Sequence, residues 1–223
     1  MMEENGLREV TLKITRRQPG HRENPFEQEY TVPWEKGLTV LAALIWIREN
    51  LDPSLAFRFS CRFKHCGLCA MEINGKPGLA CLIKVKENMA VKPLPKLPVI
   101  RDLVVDRQAV LDLLSQNKLY LPEDAPGGRD YVAKDVMERQ RLSACIDCLA
   151  CVSTCPQYTF KGDFGGPYLF VKLAQLYLDG RDHQDRCQQA RELGIHRCQD
   201  CRACRCINGL PIYQDALLPL LGR

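Results

Sequence analysis

The sequence has no hydrophobic run long enough to cross a bilayer. Its longest, "LTVLAALIWI" at residues 38–47, has ten residues, against about 20 for a spanning helix, so no direct membrane span is expected. No charged segment followed by an apolar stretch opens the chain, which argues against secretion through a cleaved signal. There is no large excess of one charge. The net value is +4, the lysines and arginines are scattered, and a nucleic-acid partner is not expected. Neither G-x-G-x-x-G nor a P-loop occurs, and no acid–base constellation suggests a catalytic site in this chain. No repeat of about 20–50 residues points to a solenoid. With 46% hydrophobic and 26% charged residues, the composition is that of an ordinary globular protein, and 223 residues suit two modest domains.

What the sequence does have is 13 cysteines. In a small secreted domain they would read as a disulfide scaffold. Their spacing here, in three groups at 61–81, 145–155 and 198–206, suits thiolates converging on shared metal centres in a reducing compartment. The odd total also leaves at least one thiol outside any full set of intramolecular pairs.

The first third reads as a small sheet with one helix. "REVTLKITRR" (8–17) alternates Val10, Leu12 and Ile14, the period of a half-buried strand. "EQEYTVPW" (27–34) is a second strand, and residues 38–50 form a buried helix. Asn74–Gly75 in "AMEINGKPGLAC" marks a hairpin, and "NMAVKPLP" (88–95) a closing strand. The prolines of "PLPKLP" (93–98) suggest a linker and a domain boundary near residue 100. Beyond it, "RDLVVDRQAVLDLLSQN", "DYVAKDVMERQRLSAC" and "GGPYLFVKLAQLYLDGRD" repeat apolar residues at helical spacing, the last ended by Gly180. The stripe Leu169, Leu173, Leu176 and Tyr177 reads as core or subunit interface.

Cys61, Cys66, Cys69 and Cys81 have the C-x4-C-x2-C…C spacing of plant-type ferredoxins, in which four thiolates hold a 2Fe–2S cluster. Gly67 lets backbone N–H groups approach the inorganic sulfides. A four-cysteine zinc site is the alternative, although structural zinc sites usually pair two C-x2-C knuckles. His65, inside the loop, reads as a surface residue because four cysteines are already present. The second group, "CIDCLACVSTCP" (145–156), is the bacterial ferredoxin run C-x2-C-x2-C-x3-C-P, in which three cysteines bind one cubane and the fourth serves another. Cys145, Cys148 and Cys151 need a remote fourth ligand, and Cys155 needs remote companions. "RCQDCRACRC" offers Cys198, Cys201, Cys204 and Cys206. Pro156 ends the ligand turn. Cys187, in "DRCQQA", lies outside every motif and reads as an incidental thiol.

Together with "PVIRDLVVD", these motifs occur in the order found in the iron–sulfur subunits of succinate dehydrogenases and fumarate reductases, which the whole chain resembles. The resemblance implies an α+β protein: a β-grasp, plant-type ferredoxin domain (1–100) followed by an all-α, helical ferredoxin-like domain (101–223). It implies a 2Fe–2S cluster on Cys61, Cys66, Cys69 and Cys81, and a 4Fe–4S cluster on Cys145, Cys148, Cys151 and Cys206. It gives Cys155, Cys198 and Cys204 to a third cluster, commonly 3Fe–4S. It also implies a flavoprotein partner carrying FAD and a membrane anchor that binds quinone, with this chain peripheral on the cytoplasmic face of the inner membrane. By the same resemblance Pro156 and Gln199 lie near quinone; otherwise they are a cluster-packing residue and a solvated side chain.

The chain departs from the family where Cys204 and Cys206 are separated by one residue, Ile207 follows in place of proline, and 17 residues remain after Cys206. Cys201 is an additional thiol. Counting ligands, it makes the third cluster 4Fe–4S on Cys155, Cys198, Cys201 and Cys204, with a lowered potential suited to a donor such as menaquinol. Alternatively Cys201 is a bystander beside a 3Fe–4S centre, or the short spacing exchanges ligands between clusters. The expected role is electron transfer in a succinate:quinone oxidoreductase, in either direction. The rivals are the same subunit in a soluble fumarate reductase coupled to a thiol or heterodisulfide module, and a zinc-stabilised interaction protein.

Overall fold

The computed structural model describes residues 8–18, 20, 22–125 and 136–222. The chain divides after Asp106 into two units. In the first, β1 (Glu9–Gln18) and β2 (Arg22–Pro33) form a long antiparallel pair. A helix, α1 (Val40–Asn50), precedes β3 (Ala70–Ile73), β4 (Lys76–Leu79) and β5 (Met89–Lys92). The sheet order is β2-β1-β5-β3-β4, with β5 parallel to β1 and antiparallel to β3.

The alternation in β1 works as its period requires: Val10, Leu12 and Ile14 are all buried. Arg16 falls on the same face and is equally buried. Thr39 caps α1 by accepting a hydrogen bond from the Ala42 N–H (3.1 Å), and the helix buries Val40, Leu41, Ala43, Leu44 and Ile47. The β3–β4 hairpin turns through Asn74 (φ 49°) and Gly75 (φ 75°), the left-handed pair that an Asn–Gly hairpin requires.

The expected linker differs from the structure. Leu94 and Leu97, between the prolines of 93–98, are buried, so that segment packs into the first unit. A hairpin, β6 (Val99–Arg101) and β7 (Val104–Val105), follows where a helix was expected. Its corner is Asp102, in the left-handed region at φ 46°. Its carboxylate accepts the backbone N–H groups of Arg17 (3.0 Å) and Ala56 (2.9 Å). These long-range bonds hold 99–105 to the first unit and extended, against its helical periodicity.

Every regular element described in the second unit is helical. They are α2 (Gln108–Gln116), α3 (Val136–Leu142), α4 (Ala150–Thr154), α5 (Gly166–Tyr177), α6 (Arg186–Glu192), a 3-10 turn (Ile195–Cys198) and a π-helical turn (Tyr213–Leu217) running into α7 (Leu218–Leu220). The helix expected over 130–145 is seen only as α3, its first part lying outside the described residues. Central to the unit is α5, which contacts α3, α4, α6, α7 and the π-helical turn. Leu169 and Leu173 of its stripe are buried, and Leu176 and Tyr177 partly so. It ends at Tyr177, capped by Leu178 rather than at Gly180. Ion pairs brace the unit. Arg186 meets Asp182 at 2.7 Å with both side chains buried, and Arg141 donates to Asp215 at 2.7 Å. Among the described residues no helix is long and apolar enough to cross a membrane.

Candidate metal centres

The 61–69 loop is shaped by backbone conformations that ordinary residues avoid. Arg62 (φ 60°), Lys64 (φ 73°) and Gly67 (φ 64°) are all left-handed, a pattern that turns successive N–H groups to one side of the chain. Three of these groups, from Phe63, His65 and Cys66, each donate to Cys61 Sγ at 3.3 Å. Led by the Phe63 N–H, they hold the Cys61 thiol down to about 7. Burial pushes the Cys69 thiol up to about 12, and the neighbouring Cys81 and Cys66 sulfurs add to the rise. The loop thus brings Cys61 to Cys66 and Cys69 to Cys66 and Cys81. Phe63 and His65 point to solvent.

In the second unit, Asp147 (φ 54°) and Leu149 (φ 62°) repeat the left-handed device between the cysteines of the 145–151 run. Cys145, Cys148, Cys151 and Cys206 line one small cavity, closed by Tyr168, Val171, Leu210 and Ile212 among others. Burial pushes Cys151 well above an ordinary thiol, and Cys148, Cys145, Cys206 and Cys204 crowd it further. Cys145 rises to about 11, chiefly through burial. The second remote group is distinct. Cys198 is pushed up to about 12 by burial and by Cys204, Cys155 and Cys201. Cys204 reaches about 12 by burial and the charges of Cys155 and Cys201. Cys206 therefore sits with the 145–151 run, whereas Cys155, Cys198, Cys201 and Cys204 gather separately. Cys204 also lies within electrostatic reach of Cys151.

Chemically these are poor sites for free thiolates and good ones for a polynuclear iron centre. Desolvated thiols crowded together resist ionising, because each anion raises the others. As ligands to iron these cysteines would be thiolates, their protons lost and their charge compensated by the metal. The backbone N–H donors at Cys61 and the Asn208 N–H at Cys206 Sγ (3.3 Å) are of the kind that sulfur ligands of such centres take from the surrounding chain. Among the described residues, no three or more His, Cys, Asp or Glu side chains close on a single metal ion.

Other expected residues fall outside these groups. Pro156 and Gln199 are exposed, each next in sequence to a cysteine of the third group. The Gln199 carbonyl accepts the Tyr213 hydroxyl at 3.1 Å, and the Tyr213 ring lies under the Arg202 guanidinium. Cys187 stands apart on α6, its thiol 3.9 Å from the Pro219 carbonyl and raised by burial. The sequence reading missed a polar group around the 145–151 run. Lys172 pairs with Asp147 at 2.6 Å, Arg107 donates to the Asp147 carbonyl, and Tyr168 is buried beside them. Only Asp147, lying inside the motif, could have been singled out from spacing.

Residues 11–112 match the family described as 2Fe-2S iron-sulfur cluster binding domain. One subunit of the fumarate reductase (CoM/CoB) of Methanothermobacter marburgensis is 33% identical over 93% of this chain, which spans only 43% of that protein's length. The fumarate reductase iron–sulfur subunit of Haemophilus influenzae is 33% identical, over 78% of this chain and 75% of its own length. Among solved structures, a chain of the Mycobacterium smegmatis Sdh1 complex in the apo form superposes with a TM-score of 0.82 at 27% identity, covering 96% of this chain and 95% of that one.

Proposed function

The chain belongs to the family of the iron–sulfur subunits of succinate dehydrogenases and fumarate reductases, and we propose that it conducts single electrons between a flavoprotein partner and a quinone site. The observation that carries the proposal is the sorting of twelve cysteines into three groups, each crowded by its own members. Cys61, Cys66, Cys69 and Cys81 hold a 2Fe–2S cluster in a β-grasp ferredoxin domain. Cys145, Cys148, Cys151 and Cys206 hold a 4Fe–4S cluster. Cys155, Cys198, Cys201 and Cys204 hold a third, also 4Fe–4S. The clusters supply one-electron redox chemistry. The protein supplies thiolates, burial and N–H···S hydrogen bonds, which together set the potentials.

The partners follow from this role. The sequence has neither G-x-G-x-x-G nor an acid–base constellation for succinate, so this reading puts FAD on the flavoprotein subunit and quinone on a membrane anchor. This chain is peripheral, on the cytoplasmic face of the inner membrane. Pro156 and Gln199, exposed beside the third group, are the residues nearest the quinone.

The test is reconstitution with the neighbouring subunits and assay with succinate and with fumarate. Activity of the complex with a quinone or quinol, absent from the purified chain, is the expected result. Succinate oxidation by this chain alone, free of flavin, overturns the reading. A second reading has specific support: the relative aligned over 93% of the chain belongs to a CoM/CoB fumarate reductase. In that case the electron donor is a thiol pair. Fumarate reduction driven by thiols and not by quinols would select it.

A further inference from the structure

Close to the cavity lined by Cys145, Cys148, Cys151 and Cys206 lies a cation that is not fully satisfied. Arg107, at the N-terminal end of α2, donates through one terminal nitrogen to the backbone carbonyl of Asp147. That carbonyl belongs to the peptide unit leading into Cys148, so the guanidinium is held beside the second cysteine of the run. Its charge acts on the Cys148 thiol and on the Tyr168 hydroxyl. Both Cys148 and Tyr168 line the cavity. The Nε–H of Arg107 is buried and has no hydrogen-bond partner among the described groups. An unpaired buried N–H is costly, and a charged donor is the one least readily left without an acceptor.

The charges of Asp147 and Lys172 are already matched. Asp147, whose carboxylate lies 3.5 Å from the Cys145 thiol, is neutralised by Lys172 at 2.6 Å. Lys172 in turn lies 5.5 Å from the Tyr168 ring centroid. Arg107 has no carboxylate partner among the described contacts.

We propose that Arg107 is a potential-setting residue whose Nε–H donates to a sulfur of the 4Fe–4S cluster held by Cys145, Cys148, Cys151 and Cys206. The inference rests on the cluster reading given above. Reduction adds one electron to the cluster and no proton need move. A fixed positive charge and an N–H···S hydrogen bond favour the more negative, reduced form, so Arg107 raises the midpoint potential. Lys172 shares its charge with Asp147 and contributes less.

The experiment is a potentiometric EPR titration of the assembled, cluster-loaded complex carrying Arg107→Gln or Arg107→Lys. The 2Fe–2S centre, on the other unit, is the internal reference. Arg107→Gln is expected to shift the reduction equilibrium of this 4Fe–4S centre by about tenfold toward the oxidised form, which is about 59 mV downward for one electron. Arg107→Lys keeps the charge but not the Nε–H and should fall between. Equal potentials in all three proteins, or a matching fall of the 2Fe–2S centre, overturn the proposal. Should a variant lose this cluster, the unsubstituted complex still decides. With guanidino-15N-arginine, the reduced cluster should show a hyperfine coupling to nitrogen, and its absence overturns the proposal. Absence of every cluster signal from the unsubstituted complex takes down the cluster reading beneath it, and this inference with it.

Discussion

The side chains of Arg16 and Asp102 form a 3.0 Å ion pair that is wholly shielded from solvent. Arg16 lies on the core face of β1 and Asp102 at the corner of the β6–β7 hairpin, so the pair fastens that hairpin to the sheet. Asp102 also accepts the backbone N–H groups of Arg17 and Ala56, while Arg16 donates to Tyr30, Asp52 and Ser54. Removing one member of a buried pair costs about 3–5 kcal/mol, because the other charge stays behind. Asp102→Ala also orphans two amides, although Asp52 continues to compensate Arg16. The expected loss is about 3 kcal/mol, at the lower end of that range. It should show up as an earlier unfolding transition of the first unit, with the helical unit unmoved. An unchanged transition would mean that the network can re-form without Asp102.

The same network predicts an acid limb of stability. Burial pushes the Asp52 carboxyl up, yet hydrogen bonds from Ser54, Tyr30 and Arg16 outweigh it and hold the group well below the usual carboxylate range. A carboxylate depressed in the folded state stabilises above its unfolded value, about 3.9, and that contribution is lost as pH falls below it. Asp52→Asn should therefore weaken the first unit near neutral pH and flatten its loss of stability between about pH 4 and the acid end. Denaturation midpoints of both proteins across that range provide the measurement. Parallel pH profiles would exclude Asp52 as the titrating group.

Cys69 is buried and in electrostatic contact with Cys66 and Cys81. Cys69→Ser exchanges a thiolate for a poorer ligand and should lower or abolish the 2Fe–2S spectrum. The centres of the helical unit should persist, because their cysteines all lie beyond residue 144. Iron content together with EPR separates the centres, and an unaltered 2Fe–2S signal would remove Cys69 from its ligand set.

Much of this molecule was legible in local pattern. The alternation of Val10, Leu12 and Ile14, the Asn74–Gly75 turn and the apolar stretch of α1 each determine their element within a few residues. The cysteine runs likewise stand out by spacing alone. What was not legible depends on distant partners. Continuing the alternation puts Arg16 on the core face, but its partners Asp52 and Asp102 lie far along the chain. The apolar spacing around Leu103 and Val104 mimics a helix. Only the bonds from Arg17 and Ala56 to Asp102 explain why those residues form a hairpin. Arg107 follows a motif without belonging to it, and only the fold reveals that it reaches the Asp147 carbonyl.

Cys201 is the additional thiol of the third group. Cys198 and Cys204 both feel its charge together with that of Cys155, while Cys206 lines the other cavity with the 145–151 run. This arrangement favours a fourth ligand over a bystander, and it argues against an exchange of Cys206 into the third group. A fourth thiolate at that centre holds a fourth iron, changing cluster type and net charge, both of which set the potential. The expected outcome is a 4Fe–4S centre of lowered potential, suited to a low-potential donor and hence to fumarate reduction. EPR of the oxidised, anaerobic protein is the check. An oxidised 3Fe–4S centre is paramagnetic, whereas a 4Fe–4S centre at the 2+ level is silent. The unsubstituted protein should be silent, and Cys201→Val should acquire a 3Fe–4S signal, lose about one iron per chain and shift its third potential upward. A stoichiometric 3Fe–4S signal in undamaged, unsubstituted protein would make Cys201 a bystander after all.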